Sequence, residues 1–377
     1  MKILLVGEYS RLHNSLKEGL LAQGHEVTLI ATGDLFKKFP SDIPLFRKYD
    51  HGLGRKLKIL VYALSRIDLT SIALRKQFRR IKKQLVDYDV VQLINELPFG
   101  ASLKVEREIF EYLRKNNKKL YLLSCGNDHI SVKYAFEKKF RYSILSPYFE
   151  GKLPKANYKS ILKYIQPKHK DYHDYLYEQL DGVIASDLDY HIPLQGIPKY
   201  LGLIPNPVNL DQLDYQENLV SEKVVIFHGI NRRTYFKKGS DYFEAALEII
   251  QNKYPDKVEV LLVENLPYEQ YIKKYDQAHI VLDQVLAYDQ GYNALEAMAK
   301  GKVVFTGAEQ EFVEYYNLNK IVAINALPDV DSIVANLEDL IIHPEKIHQI
   351  GRNARDFIER YHDYRQIANT YVQAWTG

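Results

Sequence analysis

DQVLAYDQGYNALEAMAKG, residues 283–301, lies between two apolar runs, His279-Ile280-Val281-Leu282 before it and Val303-Val304-Phe305 after it. A polar turn containing Gly291 leads into a small-residue helix that carries one acid, Glu296. Strand, glycine turn, helix, strand is an α/β arrangement in which ligands sit beyond the carboxyl ends of strands and at helix N-termini. An acid among Ala, Leu and Met has two readings. It is either a solvated or paired carboxylate, or a carboxylate that accepts both hydroxyls of a ribose.

Working outward, Val224-Val225-Ile226-Phe227-His228-Gly229 reads as a buried strand ending in glycine. Arg232, Arg233, Lys237, Lys238 and Gly239 follow before a helix that starts near Ser240. Cations fixed at a helix N-terminus would stabilise the charge on a departing diphosphate without reorganisation. The alternative is a basic surface loop. Val258–Val263 is the next strand, Lys320–Ile324 a last short one, Asp329–Leu340 a helix and Phe357–Trp375 a terminal helix.

LEAMAKGKVVF, from Leu295 to Phe305, resembles the LEAMAxGxPVI signature of glycosyltransferases with two facing Rossmann-like domains, the GT-B fold, and in particular the retaining family 4. Leu180–Ser186 (LDGVIAS) is similar to the strand that closes the first domain in that family. Leu203–Asn209 (LIPNPVN) resembles its crossover motif, with Pro207 in the glycine's place, where φ > 0 is unattainable. His343-Pro344-Glu345 through Gly351-Arg352-Asn353-Ala354-Arg355 resembles its ending. The resemblance implies that Gly229, Arg232 and Lys238 form the element clamping a nucleotide diphosphate, that Glu296 holds the ribose, and that 264–268 lies over the base. It also implies a first glutamate eight residues before Glu296, where this chain has Tyr288. Either Asp289 substitutes, one step out of register, or Gly291, Tyr292 and Asn293 meet the sugar. Asp283 and Gln284 either fix this loop or touch the ligand.

In the first half, Lys2–Val6, a helical run with Leu12, Leu16, Leu20 and Leu21, and His25–Ile30 make a βαβ unit with parallel strands. Its first turn has Gly7 alone, so the G-x-G-x-x-G of a dinucleotide oxidoreductase is absent. The resembling enzymes often carry Gly-Gly there. Ser10, Arg11, His13 and Asn14 stand on that turn as acceptor or phosphate contacts, or Ser10 or Asn14 caps the helix. Strands follow at Asp89–Leu93 and Lys119–Ser124, with a helix Lys104–Leu113 between them. Cys125-Gly126-Asn127-Asp128-His129 comes next, and Gly126 and Asp128 match the family's Gly-x-Asp, while Cys125 takes the place of its histidine. Asp128 and His129 either work at the reacting centre or, for Asp128, cap the next helix. Residues 131–175 read as inserted helices and loops shaping an acceptor pocket.

The 377 residues suit two domains. One cysteine excludes an internal disulfide and fits a reducing compartment. No apolar run spans a bilayer, and a cytoplasmic protein is expected. Between Arg47 and Gln84 there are twelve Lys or Arg against Asp50 and Asp68, with an amphipathic helix at 69–85. Its basic face is either solvated or laid on an anionic membrane surface. No nucleic-acid reading module accompanies it.

The expected architecture is therefore α/β, two facing Rossmann-like domains with an inter-domain cleft and a C-terminal helix returning to the first. Residues 1–205 with 356–377 form the acceptor side, and 206–355 the nucleotide-sugar donor side. The expected activity is a retaining, metal-independent transfer of a sugar from a nucleotide-diphosphate donor to a glycan or lipid-linked glycan, in bacterial cell-surface polysaccharide synthesis. No cofactor beyond the donor is expected. The rivals are an epimerase or hydrolase on the same fold and a non-catalytic nucleotide-sugar-binding protein.

Overall fold

A computed structural model of the chain describes residues 1–33, 39–264 and 268–377, the side chains of Tyr268 and Glu269 excepted. The first lobe holds strands β1 Lys2–Val6, β2 Glu26–Ala31, β3 Ile43–Pro44, β4 Val90–Leu93, β5 Lys119–Ser124, β6 Gly182–Ala185 and β7 Tyr200–Leu203. They form one parallel sheet in the order β3-β2-β1-β4-β5-β6-β7. The second lobe holds β8 Val224–Ile230, β9 Val258–Glu264, β10 Ile280–Leu282, β11 Val303–Thr306 and β12 Ile324–Asn325, ordered β12-β11-β10-β8-β9 and again parallel. Two parallel sheets with helices packed on them are the expected α/β architecture.

Parallel strands covered on both faces read as unbroken apolar runs, and β1 obeys this rule. Leu4 and Val6 face one core with Phe78 and Phe110, whereas Ile3 and Leu5 face another with Leu16 and Leu20. The second lobe closes around Ile226, Phe243, Leu282, Phe305 and Leu337.

The chain ends in two helices rather than one. Glu345–Tyr361 stops at His362, and Asp363 caps a new helix, Tyr364–Thr376, by accepting from the backbone N–H groups of Arg365 and Gln366. At this break the returning chain meets the outgoing crossover. Val208 N–H donates to His362 O at 2.7 Å, and Tyr364 N–H donates to Val208 O at 3.2 Å. The last helix then packs on Leu12–Ala22 of the first lobe. A Cβ at Gly19 would lie 2.3 Å from the Tyr364 carbonyl oxygen, so only glycine permits that approach. Trp375 anchors the far end: its Nε1–H donates to Gln92 at 3.2 Å, and its carbonyl accepts from Tyr121 Oη at 2.9 Å.

Three other elements differ from expectation. β3 and β7 are additional strands on the sheet's two margins, and the strand read at Lys320–Ile324 reduces to Ile324–Asn325. A helix, Gly52–Ser65, precedes the expected basic one, which itself runs Leu69–Ile81 before a 3₁₀ turn. Residues 131–175 form helices joined by loops, and from those loops Arg141, Tyr142 and Lys152 reach the second lobe, at Glu309, Glu311 and Asp241.

Candidate functional site

Helix Tyr292–Ala299 starts after Gly291, whose φ of −75° is open to any residue, so this glycine is not required by its backbone angle. Tyr292 is buried and turned away from its own lobe. Its hydroxyl meets Ser15 Oγ at 2.6 Å and the Pro207 carbonyl. A carbonyl oxygen only accepts, so Tyr292 donates to Pro207 and Ser15 donates to Tyr292. One turn further on, Glu296 lines a hollow of about 190 Å³ between the lobes, with Arg11, Asn209 and Gln212 on the near side and Tyr275 and Lys300 on the far side. Arg11 takes the left-handed conformation at φ 75°, and its guanidinium donates to Glu18 at 2.9 Å and to Gln212 at 2.5 Å. Asn209 donates to the other Glu18 oxygen at 2.6 Å. A fixed cation from one lobe and a carboxylate from the other thus line the same hollow.

The basic element stands beside this hollow. Lys238 donates to Asp283 Oδ1 at 3.1 Å, and Asn293 Nδ2 donates to the same oxygen at 3.3 Å. Asp283 is buried at the carboxyl end of β10, and its Oδ2 has no hydrogen-bond partner among the described residues. Lys238 is therefore held at the N-terminal end of the helix that carries Glu296. Gly239 makes the turn after it, at φ 72°, and a Cβ there would lie 2.5 Å from Val285 Cβ. Arg232 is more remote. It is exposed, paired with Glu264 at 2.9 Å and placed over the Tyr235 ring at 4.9 Å, and it does not line the hollow. Gly229 lies inside β8, where a Cβ would approach Tyr271 Oη at 3.1 Å. Of the loop expected over a base, residues 265–267 and the Tyr268 side chain lie outside the described residues.

Asp289 does not point at this hollow. It is buried and accepts from the backbone N–H of Leu188 at 3.1 Å, while Asp189 accepts from Tyr288 N–H at 3.2 Å. Each carboxylate thus accepts from a backbone N–H of the other lobe. Burial pushes Asp289 up to about 6, and burial with the nearby Asp289 charge pushes Asp189 up to about 7. Burial and both neighbours also raise Asp187. Asp289 therefore serves as an inter-lobe contact in this arrangement, and Tyr288, with its hydroxyl accepting from Arg141 N–H at 2.8 Å, does likewise.

On the first lobe, the turn after β1 is largely self-satisfied. His13 is fully buried, with Nδ1 2.7 Å from Gly7 O and Nε2 3.3 Å from Gln92. Desolvation lowers its pKa to about 4, so it is neutral. Donation to Gly7 leaves Nε2 to accept from Gln92, whose oxygen is left for Trp375. Asn14 gives both its backbone and side-chain N–H to Glu8, at 2.9 and 2.6 Å. Ser10 joins Arg11 in the left-handed region, at φ 51°. Of this turn Arg11 lines the hollow, and Ser10, His13 and Asn14 do not.

Asp128 is buried and caps helix His129–Phe136, accepting from Ser131 N–H at 2.7 Å, and a second bond comes from Ser124. His129 is buried, with Nδ1 2.8 Å from Tyr164 O and its ring 4.8 Å from that of His173. His173 in turn meets Glu96 at 2.5 Å. Desolvation lowers the His129 pKa. Asp128 and His129 thus sit at the carboxyl end of β5, apart from the Glu296 hollow.

Sequence reasoning missed Ser15, Asn209, Gln212, Tyr275 and Lys300. Lys300 and Asn209 carried a signal, lying inside the quoted signature and the crossover motif. The others depend on chain segments that meet only in the folded molecule.

Residues 232–373 match the family model described as glycosyl transferase-like. No curated protein matches the chain. Among solved structures, sucrose-phosphate synthase from Thermosynechococcus elongatus is similar at a TM-score of 0.61 and 14% identity, covering 100% of this chain and 98% of that one. HepE from Anabaena, in complex with UDP and glucose, is similar at 0.56 and 12%, covering 100% and 99%. A putative UDP-N-acetylglucosamine 2-epimerase from Listeria monocytogenes is similar at 0.52 and 12%, covering 99% and 94%. These likenesses fix the fold as GT-B. The family match describes the C-terminal part of that fold as glycosyl transferase-like.

Proposed function

We propose that this chain moves a sugar from a nucleotide-diphosphate donor to a glycan or lipid-linked glycan, with retention of configuration and without a metal, in bacterial cell-surface polysaccharide synthesis. The observation that carries the reading is the placement of Arg11 and Glu296, from opposite lobes, on one hollow. Glu296 is the ribose acceptor, since a carboxylate has lone pairs for two hydroxyls at once. Lys238 at the helix N-terminus, with Arg232 beyond it, faces the charge that develops on the diphosphate as the glycosidic bond breaks. Asp283 keeps the lysine extended toward that position. His129, at the carboxyl end of β5 in the acceptor lobe, is the candidate polar group on that side, and Asp128 fixes the helix that carries it.

On this reading residues 1–205 and the last helix hold the acceptor, and 206–355 hold the donor. Sites for whole ligands occupy about 300–1,000 Å³, so a hollow of about 190 Å³ takes a ribose-sized part of the donor. The lobes must part to admit the rest and then close, which excludes water from the donor. HepE holds UDP and glucose on this same fold, which supports a nucleotide-sugar ligand here.

Thermal unfolding with UDP, GDP, ADP and CMP and their sugar conjugates tests the proposal. One nucleotide should raise stability by about 2.7 kcal/mol at 100 times its dissociation constant, and Glu296→Ala should remove that gain. Stabilisation by none of them, or an unchanged gain in Glu296→Ala, would overturn it. Donor consumed with no acceptor present would instead indicate an epimerase or hydrolase.

A further inference from the structure

Helix Gly52–Ser65 has no buried residue. It rests on the first lobe through Gly54, packed on Tyr49, and through Lys58, which pairs with Asp50 at 2.7 Å and lies 3.7 Å from Asp68. Its apolar side chains are turned outward. Leu53, Leu57, Leu60 and Leu64, spaced i, i+4, i+7 and i+11, form a single stripe and are 82, 47, 58 and 80% exposed. Phe46 and Ile67 extend the apolar surface at either end, at 61 and 45%. Amphipathic helices normally bury such a stripe, and a contiguous exposed one marks a contact surface.

Of the basic segment 47–84, which the sequence leaves open to solvent or to an anionic membrane surface, helix Leu69–Ile81 takes the solvated reading. Leu69–Ile81 buries Leu74 and Phe78 in the lobe, and its Arg75 and Arg79 both pair with Glu108. That helix is an ordinary solvated one.

We infer that the leucine stripe of Gly52–Ser65 docks the protein on an anionic phospholipid surface. Charge selects this occupant. Residues 46–68 contain six Lys or Arg (Arg47, Lys48, Arg55, Lys56, Lys58, Arg66) against two acids, Asp50 and Asp68. A second copy would present the same patch to itself across a two-fold axis, bringing like charges together. An anionic bilayer complements the cations, accepts a straight stripe without needing a groove, and lets lysine and arginine stems lie over apolar surface with their charged ends in the headgroups. The inference is independent of the donor chemistry.

The full chain, with no nucleotide or glycan added, should co-sediment with vesicles of phosphatidylcholine mixed with phosphatidylglycerol and not with phosphatidylcholine alone. Binding should fall as salt is raised. Leu53→Glu with Leu64→Glu should weaken it by roughly tenfold or more at an unchanged unfolding temperature, because both side chains are at least 80% exposed. Equal binding by wild type and variant, or no binding to the anionic vesicles, would overturn the inference. So would a dimer in light scattering that the same variant dissolves, since the stripe would then belong to a second copy.

Discussion

The Tyr292 hydroxyl, on the second lobe, lies 2.6 Å from Ser15 Oγ on the first. Its own proton goes to the Pro207 carbonyl in the crossover, so one phenol joins both lobes and the hinge between them. Tyr292→Phe should cost about 1–3 kcal/mol of stability, because a buried carbonyl loses its donor. Ser15→Ala should cost less. A double-mutant cycle in denaturant should give a coupling of at least about 0.5 kcal/mol, and strict additivity would show that the two groups do not communicate.

Glu296→Gln keeps shape and removes charge. Hydrogen bonds to a charged acceptor contribute about 1.5–3 kcal/mol, so the nucleotide's dissociation constant should rise by roughly ten- to a hundredfold. Calorimetric titration measures it, and the fold should be unaffected because the side chain is only half-buried. Lys238→Met should depress turnover more than binding, since the charge it faces is greatest as the bond breaks.

The carboxylates at the lobe contact predict a pH dependence. Asp289 at about 6 and Asp189 at about 7 lie above the ordinary carboxylate value, so the folded chain keeps protons that the unfolded chain releases near pH 4. Their contribution is complete below that pH and is lost as pH rises through 6 to 7. His13 and His362, both lowered to about 4 by burial, act in the opposite sense, stabilising above about 6.5 and losing that contribution as pH falls toward 4. The difference between wild type and Asp289→Asn isolates the first effect. Unfolding free energies from pH 4 to 8 should show the variant gaining relative to wild type as pH rises, because asparagine can still accept from Leu188 N–H.

Arg141 reaches from the first lobe to Glu309 at 2.6 Å and Glu311 at 2.7 Å. The arginine is half-exposed and Glu311 is accessible, so Glu311→Ala should cost under about 1 kcal/mol and less at high salt. Arg141→Ala should cost more, because it leaves the buried Glu309 short of a cation. Equal losses in chemical denaturation would contradict this ordering.

Trp375→Phe retains most of the packing and removes the donor to Gln92. The expected loss is about 1–3 kcal/mol, measured the same way. A loss near zero would mean that Gln92 finds another donor.

Local pattern determined much of this protein. Apolar runs such as Lys2–Val6 and Val303-Val304-Phe305 could only be strands covered on both sides. The stretch around Glu296 announced a helix after a strand, and the resemblance carried by that stretch extended to the fold. Asp128 could be read as a cap from residue type. Tertiary structure alone decided which polar groups face the hollow. Ser15 and Tyr292 are 277 residues apart, and no periodicity links them. Asp289 stood open as a sugar contact until its carboxylate was found on Leu188, and the basic helix kept both its readings until Arg75 and Arg79 were found on Glu108. Spacing along a chain fixes which side of an element a residue occupies. What lies across from it depends on how separate elements dock, and that is set by the summed packing of both lobes.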